Sequence, residues 1–450
     1  MELSAGSAAL VVSSPGAPAG GLKKVLRLLF VAAVGVALWS QLAAPSWLLS
    51  VGCGDDIMPA SRWWWPFPFS SAPPLKKQTT RTARRGPPAG GGGGGKGPAA
   101  CVMFNFGDSN SDTGNLVAGA GFRLHGPVGR RFFGKPSGRF SDGRLYIDFI
   151  CERLGLDHLS PYLESSGVSF RHGANFAAAG ATAGESSMFS LGTQVRQFRH
   201  LKARTADLLP LGLGSGITKE EFENAVYSID IGQNDIQVAL LSNNLSYHRV
   251  LQETIPAIIT RIRNAATMVH EAGGRKLVLY NTGPLGCLPS MLARRRRRRP
   301  PSGSGSGSGG GRLEVDAAGC LAGHNRVARA FNAQLAGLCR DLRRRLAGAT
   351  VVCVDMYAIK YGLVANHTAH GLGGAPLMAC CGSGGPPYNY RPGAACGSPK
   401  VEACADGDRR VSWDGLHYTE AANRIIADKV LSAEHSDPPL RLHTLCTSPS

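Results

Sequence analysis

Nowhere in this chain of 450 residues do two of its twelve cysteines stand three positions apart, so the Cys-x-x-Cys knuckle of a structural zinc site is missing. Charge is scarce as well: only 18% of the residues are Asp, Glu, Lys or Arg, against 43% hydrophobic. That balance excludes a wholly disordered or fibrous chain and leaves apolar material for one large core. A phosphate-binding loop is also absent. Gly90 to Lys96 has the Gly-x-x-x-x-Gly-Lys spacing, but Gly97 stands where Ser or Thr must reach a magnesium ion, and no apolar strand leads into it.

What the chain has in quantity is glycine (59) and proline (28), unevenly spread. Runs such as Gly90 to Gly95 and Ser302 to Gly311 bury nothing that offsets their ordering entropy and read as linkers. Positive charge is the other excess. The net +18 would suggest a nucleic-acid partner, but residues 1–100 carry +7 of it and Arg294 to Arg299 another +6, leaving +5 for the rest. A basic groove on a folded domain is not implied, and no nucleic-acid partner is expected.

Leu28 to Leu49 is a charge-free stretch of 22 residues, at ~1.5 Å per residue long enough to cross a hydrocarbon core of ~30 Å. Lys23, Lys24 and Arg27 precede it, and Asp55 and Asp56 follow. By the positive-inside rule this predicts a cytoplasmic tail over 1–24, a type II membrane anchor over 25–51 and a lumenal remainder. The alternative is a cleaved signal peptide with its cut at Ala43 or Ala44. Residues 52–100 read as a Pro/Gly-rich stalk, whose Trp63 to Phe69 aromatics suit a membrane interface or a disordered tether.

From Cys101 onward, short apolar runs alternate with longer helical patterns. Val102 to Phe106, Ala225 to Ile231, Lys276 to Tyr280 and Thr350 to Asp355 read as strands. Thr254 to Glu271 and Arg326 to Leu346 read as helices, the first with Ile255, Ile258, Ile259 and Ile262 on one face. Nearly continuous apolar strands between helices predict an α/β fold, a mostly parallel sheet covered on both faces, with ligands beyond the C-terminal strand ends.

The polar motifs fall at those ends. Phe106-Gly107-Asp108-Ser109-Asn110-Ser111-Asp112 follows the first strand, placing Ser109 like a nucleophile, although most Gly-Asp-Ser tripeptides are surface turns. Such a serine needs a base and an orienting carboxylate. Trp413-Asp414-Gly415-Leu416-His417 supplies both, because a turn leading into a helix over Tyr418 to Ala433 sets Asp414 and His417 at one rim. Gly173 to Gly180 offers a backbone N–H at Gly180, and Gly232-Gln233-Asn234-Asp235 offers the Asn234 amide, two donors for a developing oxyanion. Asp108, Asp112 and Asp235 read as loop-holding side chains. The other eleven histidines lack a paired constellation.

These four segments, in this order, resemble the GDSL, or SGNH, serine hydrolases, and within them the plant GDSL esterase/lipase group. Gly138 to Arg144, Gly283 to Cys287, Cys380-Cys381-Gly382 and Tyr388-Asn389 are similar too, and the likeness covers about residues 102–435. It implies a three-layer α/β/α sandwich with a central mostly parallel, flavodoxin-like sheet over 101–446. It also implies Ser109 as nucleophile, His417 as base and then acid, Asp414 as its orienter, and Ser109, Gly180 and Asn234 as oxyanion donors, with no metal or organic cofactor. The segment 294–312, poly-Arg then Gly/Ser, departs from the family pattern and reads as a disordered basic insertion, with polyanion binding as the alternative.

Cys287 and Cys320 flank that insertion and are candidates for a bridge. Cys380, Cys381, Cys396 and Cys404 cluster in a Gly/Pro-rich segment that crosslinks would stiffen. Asn244-Leu245-Ser246 and Asn366-His367-Thr368 are glycosylation sequons. The reading that joins these features is a serine esterase of acyl-enzyme mechanism. The anchor and stalk resemble the layout of Golgi glycan-modifying enzymes, so the favoured substrate is an acetylated cell-wall polysaccharide such as xylan. The alternatives are a secreted lipase or esterase acting on acyl lipids or small esters, and an inactive carbohydrate-binding protein.

Overall fold

The computed structural model describes residues 101–297 and 314–446. The expected tail, anchor and stalk over 1–100 lie outside the described residues, as does most of the basic insertion.

The strands are β1 (Met103–Gly107), β2 (Gly173–Asn175), β3 (Val226–Asp230), β4 (Lys276–Tyr280), β5 (Thr350–Val354), the two-residue pair β6 (Cys381–Gly382) and β7 (Glu402–Ala403), and β8 (Ser436–Asp437). The main sheet runs β2-β1-β3-β4-β5-β8, parallel except for β8. All four strands read from the sequence are present, shifted by a residue at most. β2 and β8 have three and two residues, too few to show a period.

Eight helices matter for the site: α1 (Tyr146–Arg153), α2 (Leu191–Leu208), α3 (Gln233–Gln237), α4 (Ile255–Glu271), α5 (Pro289–Arg297), α6 (Ala322–Arg345), α7 (Met356–Ala365) and α8 (Glu420–Leu431). Side chains alternate across each strand, and the two faces of the sheet feed two separate apolar clusters. Phe104, Phe106, Tyr227, Ile229, Leu277 and Leu279 pack under α2, α4 and α6. Met103, Val226, Val278, Tyr280, Val352 and Val354 pack under α1, α7 and α8. The result is the three-layer α/β/α arrangement. Because β2 and β3 flank β1 on opposite sides, the strand order reverses at the C-terminal end of β1, the switch point where such sheets open a crevice.

Several boundaries differ from the sequence reading: α6 begins at Ala322, four residues before Arg326, and α8 ends at Leu431 rather than Ala433. The last helix starts at Glu420 rather than Tyr418, because Tyr418 bridges to Ser412 and Thr419 Oγ1 accepts from the Ala422 amide as the cap. The basic insertion is not loop from its first residue: α5 continues to Arg297. Arginine is a good helix former, and Pro289 opens the helix where its missing N–H costs nothing, so the first four arginines prolong the turn begun by Ser290 to Ala293.

Candidate active site

Ser109 leaves the sheet two residues after β1, at the switch point. Its Oγ lies 2.7 Å from His417 Nε2, and His417 Nδ1 lies 2.7 Å from Asp414 Oδ2. The second carboxylate oxygen of Asp414 accepts from the amides of Leu416 and His417, both at 2.9 Å. The carboxylate therefore fixes its own turn as well as the imidazole. Burial pushes the Asp414 carboxyl up, but the His417 ring and the hydrogen bonds outweigh it, and the net shift is below the ordinary carboxylate range. The Phe140 ring packs 5.5 Å from the His417 ring, centroid to centroid.

The turn bearing Asp414 and His417 is clamped by the 138–144 segment. Asp142 Oδ1 accepts from the Glu420 amide at 2.7 Å, Ser141 Oγ donates to the Tyr418 carbonyl at 3.1 Å, and Arg144 donates to Glu420 Oε1 at 2.8 Å. Arg139, in turn, grips buried Asp148 through two hydrogen bonds of 2.8 and 2.7 Å. Sequence alone made this block part of a resemblance. Its position explains it as the strut beneath the histidine turn.

Gly180 and Asn234 reach the same cavity as Ser109 and His417. Gly180 has φ +77°, in the left-handed region, and a Cβ there would meet nothing within 4 Å because it faces the cavity. Neither the Ser109 nor the Gly180 amide donates to another described residue. Asn234 Nδ2 donates to the Ala181 carbonyl at 2.8 Å, and its other hydrogen has only a long contact of 3.5 Å to Asp108. The residues carrying these three N–H groups thus line one cavity beside the serine hydroxyl. The loops carrying them are tied together: Asp112 accepts from the Ala179 amide at 2.7 Å, and Asp235 accepts from the amides of Ala183 and Gly184 at 2.9 and 3.0 Å.

The match to the family described as GDSL-like Lipase/Acylhydrolase runs over residues 103–430. This chain belongs to that family. GDSL esterase/lipase At1g09390 of Arabidopsis thaliana is 47% identical over 350 residues, which cover 77% of this chain and 90% of that protein. GDSL esterase/lipase LIP-4 of the same plant is 46% identical over 350 residues, 77% and 89% of the two chains. A third relative, named Alpha-L-fucosidase 3, is 39% identical over 352 residues, 73% of this chain and 89% of its own. As a GDSL esterase/lipase, the protein is a carboxylic ester hydrolase.

Two features of this GDSL site were not singled out in the sequence. Beneath Ser109 lies a buried charged cluster. Burial raises both Asp108 and Asp230, each worsened or relieved by its neighbours, while burial lowers Lys360 and the two carboxylates partly restore it. Tyr146 Oη donates to Asp230 at 2.9 Å. Nothing in the spacing of these residues links them, because strand ends and α7 bring them together. The second feature is the wall of the cavity, about 410 Å³, which includes Gln233, Gln237, Ser290, Arg294, Tyr390 and Arg391. Here a signal existed: Gln233 and Gln237, and likewise Ser290 and Arg294, are four residues apart, one helical turn on one face.

Among the described residues five disulfides join Cys101 to Cys446, Cys287 to Cys320, Cys339 to Cys353, Cys380 to Cys404 and Cys381 to Cys396. The second closes the base of the insertion. The last two brace the segment that brings Tyr390 and Cys396 to the cavity wall.

Proposed function

We propose that Ser109 Oγ attacks the carbonyl carbon of a carboxylic ester while His417 takes its proton. The observation that carries this is the chain of two 2.7 Å contacts from Ser109 through His417 to Asp414. The Ser109 and Gly180 amides and the Asn234 side chain receive the oxyanion. Protonated His417 then gives its proton to the departing alcohol. A water activated by the same ring releases the acid from the acyl-enzyme.

The substrate we infer is an acetylated cell-wall polysaccharide such as xylan, met in the Golgi lumen by an enzyme held on a type II anchor. Three features support it. The cavity wall sets Gln233, Asn234, Gln237, Ser290 and two arginines among its apolar groups, whereas a long acyl chain calls for a continuous apolar channel. A relative bears the name of a glycosidase, in keeping with a carbohydrate at this site. The charge-free run from Leu28 to Leu49 has the length of a span. Among the described residues no helix is long and apolar enough to cross a membrane.

Acetate release from acetylated xylan, set against hydrolysis of a long-chain acyl ester by the same purified protein, tests the substrate. Faster cleavage of the long chain supports the secreted lipase reading, as does a mature N-terminus near Pro45. Ser109→Ala should lower ester hydrolysis by about 10³-fold or more. Unchanged hydrolysis would remove the serine mechanism, and a wild-type protein that binds glycan without hydrolysing any ester would be a carbohydrate-binding protein instead.

A further inference from the structure

One wall of the catalytic cavity is built of hydrogen-bond donors that the proposed ester chemistry does not use. Ser290 and Gln237 are only 2% and 4% exposed, yet Ser290 Oγ and Gln237 Nε2 have no hydrogen-bond partner among the described residues. A buried donor left unpaired costs about 1–3 kcal/mol, so both side chains gain a partner by turning their donors towards a ligand in the cavity that their residues line. Arg294 stands one helical turn beyond Ser290 on α5 and lines the same cavity, as does Arg391. Neither arginine forms an ion pair among the described residues. The one acidic side chain in the lining, Asp414, is already engaged by His417.

This wall is held in place relative to the triad. The Ser290 amide donates to the Gly415 carbonyl at 3.1 Å, which fixes the start of α5 against the turn between Asp414 and His417. Gly415 has φ +92°, and a Cβ there would lie 2.7 Å from the Tyr390 ring. Tyr390 therefore seats directly on the catalytic turn. Arg294 donates to Tyr390 Oη at 3.4 Å, with its guanidinium 5.9 Å from the ring centroid. The first arginine of the basic run is thus part of the active-site wall.

We propose that Gln237, Ser290 and Arg294, with Arg391 beside them, form a subsite for a carboxylate on the substrate. The preferred ester would then be an acetyl group on a glycan that carries uronic acid residues, with the carboxylate close to the scissile bond. A guanidinium, an amide N–H and a hydroxyl together match the acceptors of a carboxylate, and a neutral sugar would leave the arginines without a counter-charge. This proposal rests on the polysaccharide reading above and narrows it.

The test uses the full-length protein and a matched pair of substrates: an O-acetylated uronic acid oligosaccharide, and the same compound with its carboxylates converted to primary amides. Acetate release at low salt should show kcat/KM about 5-fold or more in favour of the acid, shrinking as salt screens the charge. Arg294→Gln should bring the ratio of the two substrates towards one, and Arg294→Lys should keep part of it. Because the readout is a ratio, partial misfolding of a variant lowers both values and leaves it unmoved. A wild-type ratio near one, or a ratio that Arg294→Gln and Arg391→Gln together leave unchanged, overturns the subsite while the esterase reading stands. Failure of the wild type to cleave either compound or a small neutral acetyl ester overturns the acetylesterase reading on which the subsite rests.

Discussion

Asp414 shows how one carboxylate does two jobs. One oxygen orients the imidazole and the other closes the turn on which the imidazole rides, so Asp414→Asn removes a charge without removing the shape. The amide offers an N–H where His417 needs an acceptor, and kcat should fall on the order of 10³–10⁴-fold with little change in KM, measured by steady-state kinetics. Since the folded carboxyl is depressed, the stabilisation it contributes is present above the ordinary carboxylate pKa and is lost as pH falls through the depressed value. The stability difference between wild type and Asp414→Asn should therefore shrink below about pH 4. Lys360 offers the opposite case. Lys360→Met leaves Asp108 and Asp230 buried without the cation that relieves them, which should lower stability in denaturant unfolding. Asp108 is pushed up to about 7, so the stability linked to its protonation is fully present below pH 4 and lost as pH rises through about 7. The variant should accordingly be more compromised at pH 8.5 than at pH 5.5.

Between elements, the 138–144 segment transmits order from α1 to the start of α8. Arg139 and Asp148 are both buried and joined by two charge-assisted hydrogen bonds. Burial alone would raise Asp148, but the guanidinium overrides it and holds the carboxyl low. Arg139→Met should destabilise the fold by about 3–5 kcal/mol, because it strands a buried carboxylate rather than merely deleting a contact. Thermal unfolding of the variant against wild type checks this. An Arg139→Met, Asp148→Leu double variant should recover part of the loss, which a purely steric role for Arg139 does not predict. Helix α5 makes a similar link on the other side, running from the catalytic turn at Ser290 into the basic run.

At the scale of the whole molecule, the Cys101–Cys446 disulfide fastens the entry to β1 to the C-terminal end of the described chain, across a separation of 345 residues. Lys276, at the start of β4, also donates to the Leu445 carbonyl at 2.7 Å, so the closure reaches the middle of the sheet. Replacing both cysteines by serine should lower stability by roughly 2–5 kcal/mol. Activity of the fraction that remains folded should be unchanged, because the bond lies at the opposite end of β1 from Ser109. A scanning calorimetry trace paired with an activity titration separates the two effects.

The sequence by itself determined the central strands, the long covering helices and the order of the four motifs. These are local properties: an apolar run of five residues or a helical period of eighteen carries its own signal, and Ser109, Asp414 and His417 each sit beside the punctuation that ends a strand or opens a helix. Short elements such as β2 and β8 carried no such signal and exist only because a neighbouring strand offers them hydrogen bonds. Only the tertiary structure decided which carboxylate faces which cation beneath the serine, and that Arg294 belongs to the cavity wall rather than to a free basic loop. Those pairings join residues tens to hundreds of positions apart, and burial gives them their energy: two buried donors without partners mean little at scattered places and more where they and two arginines line one catalytic cavity.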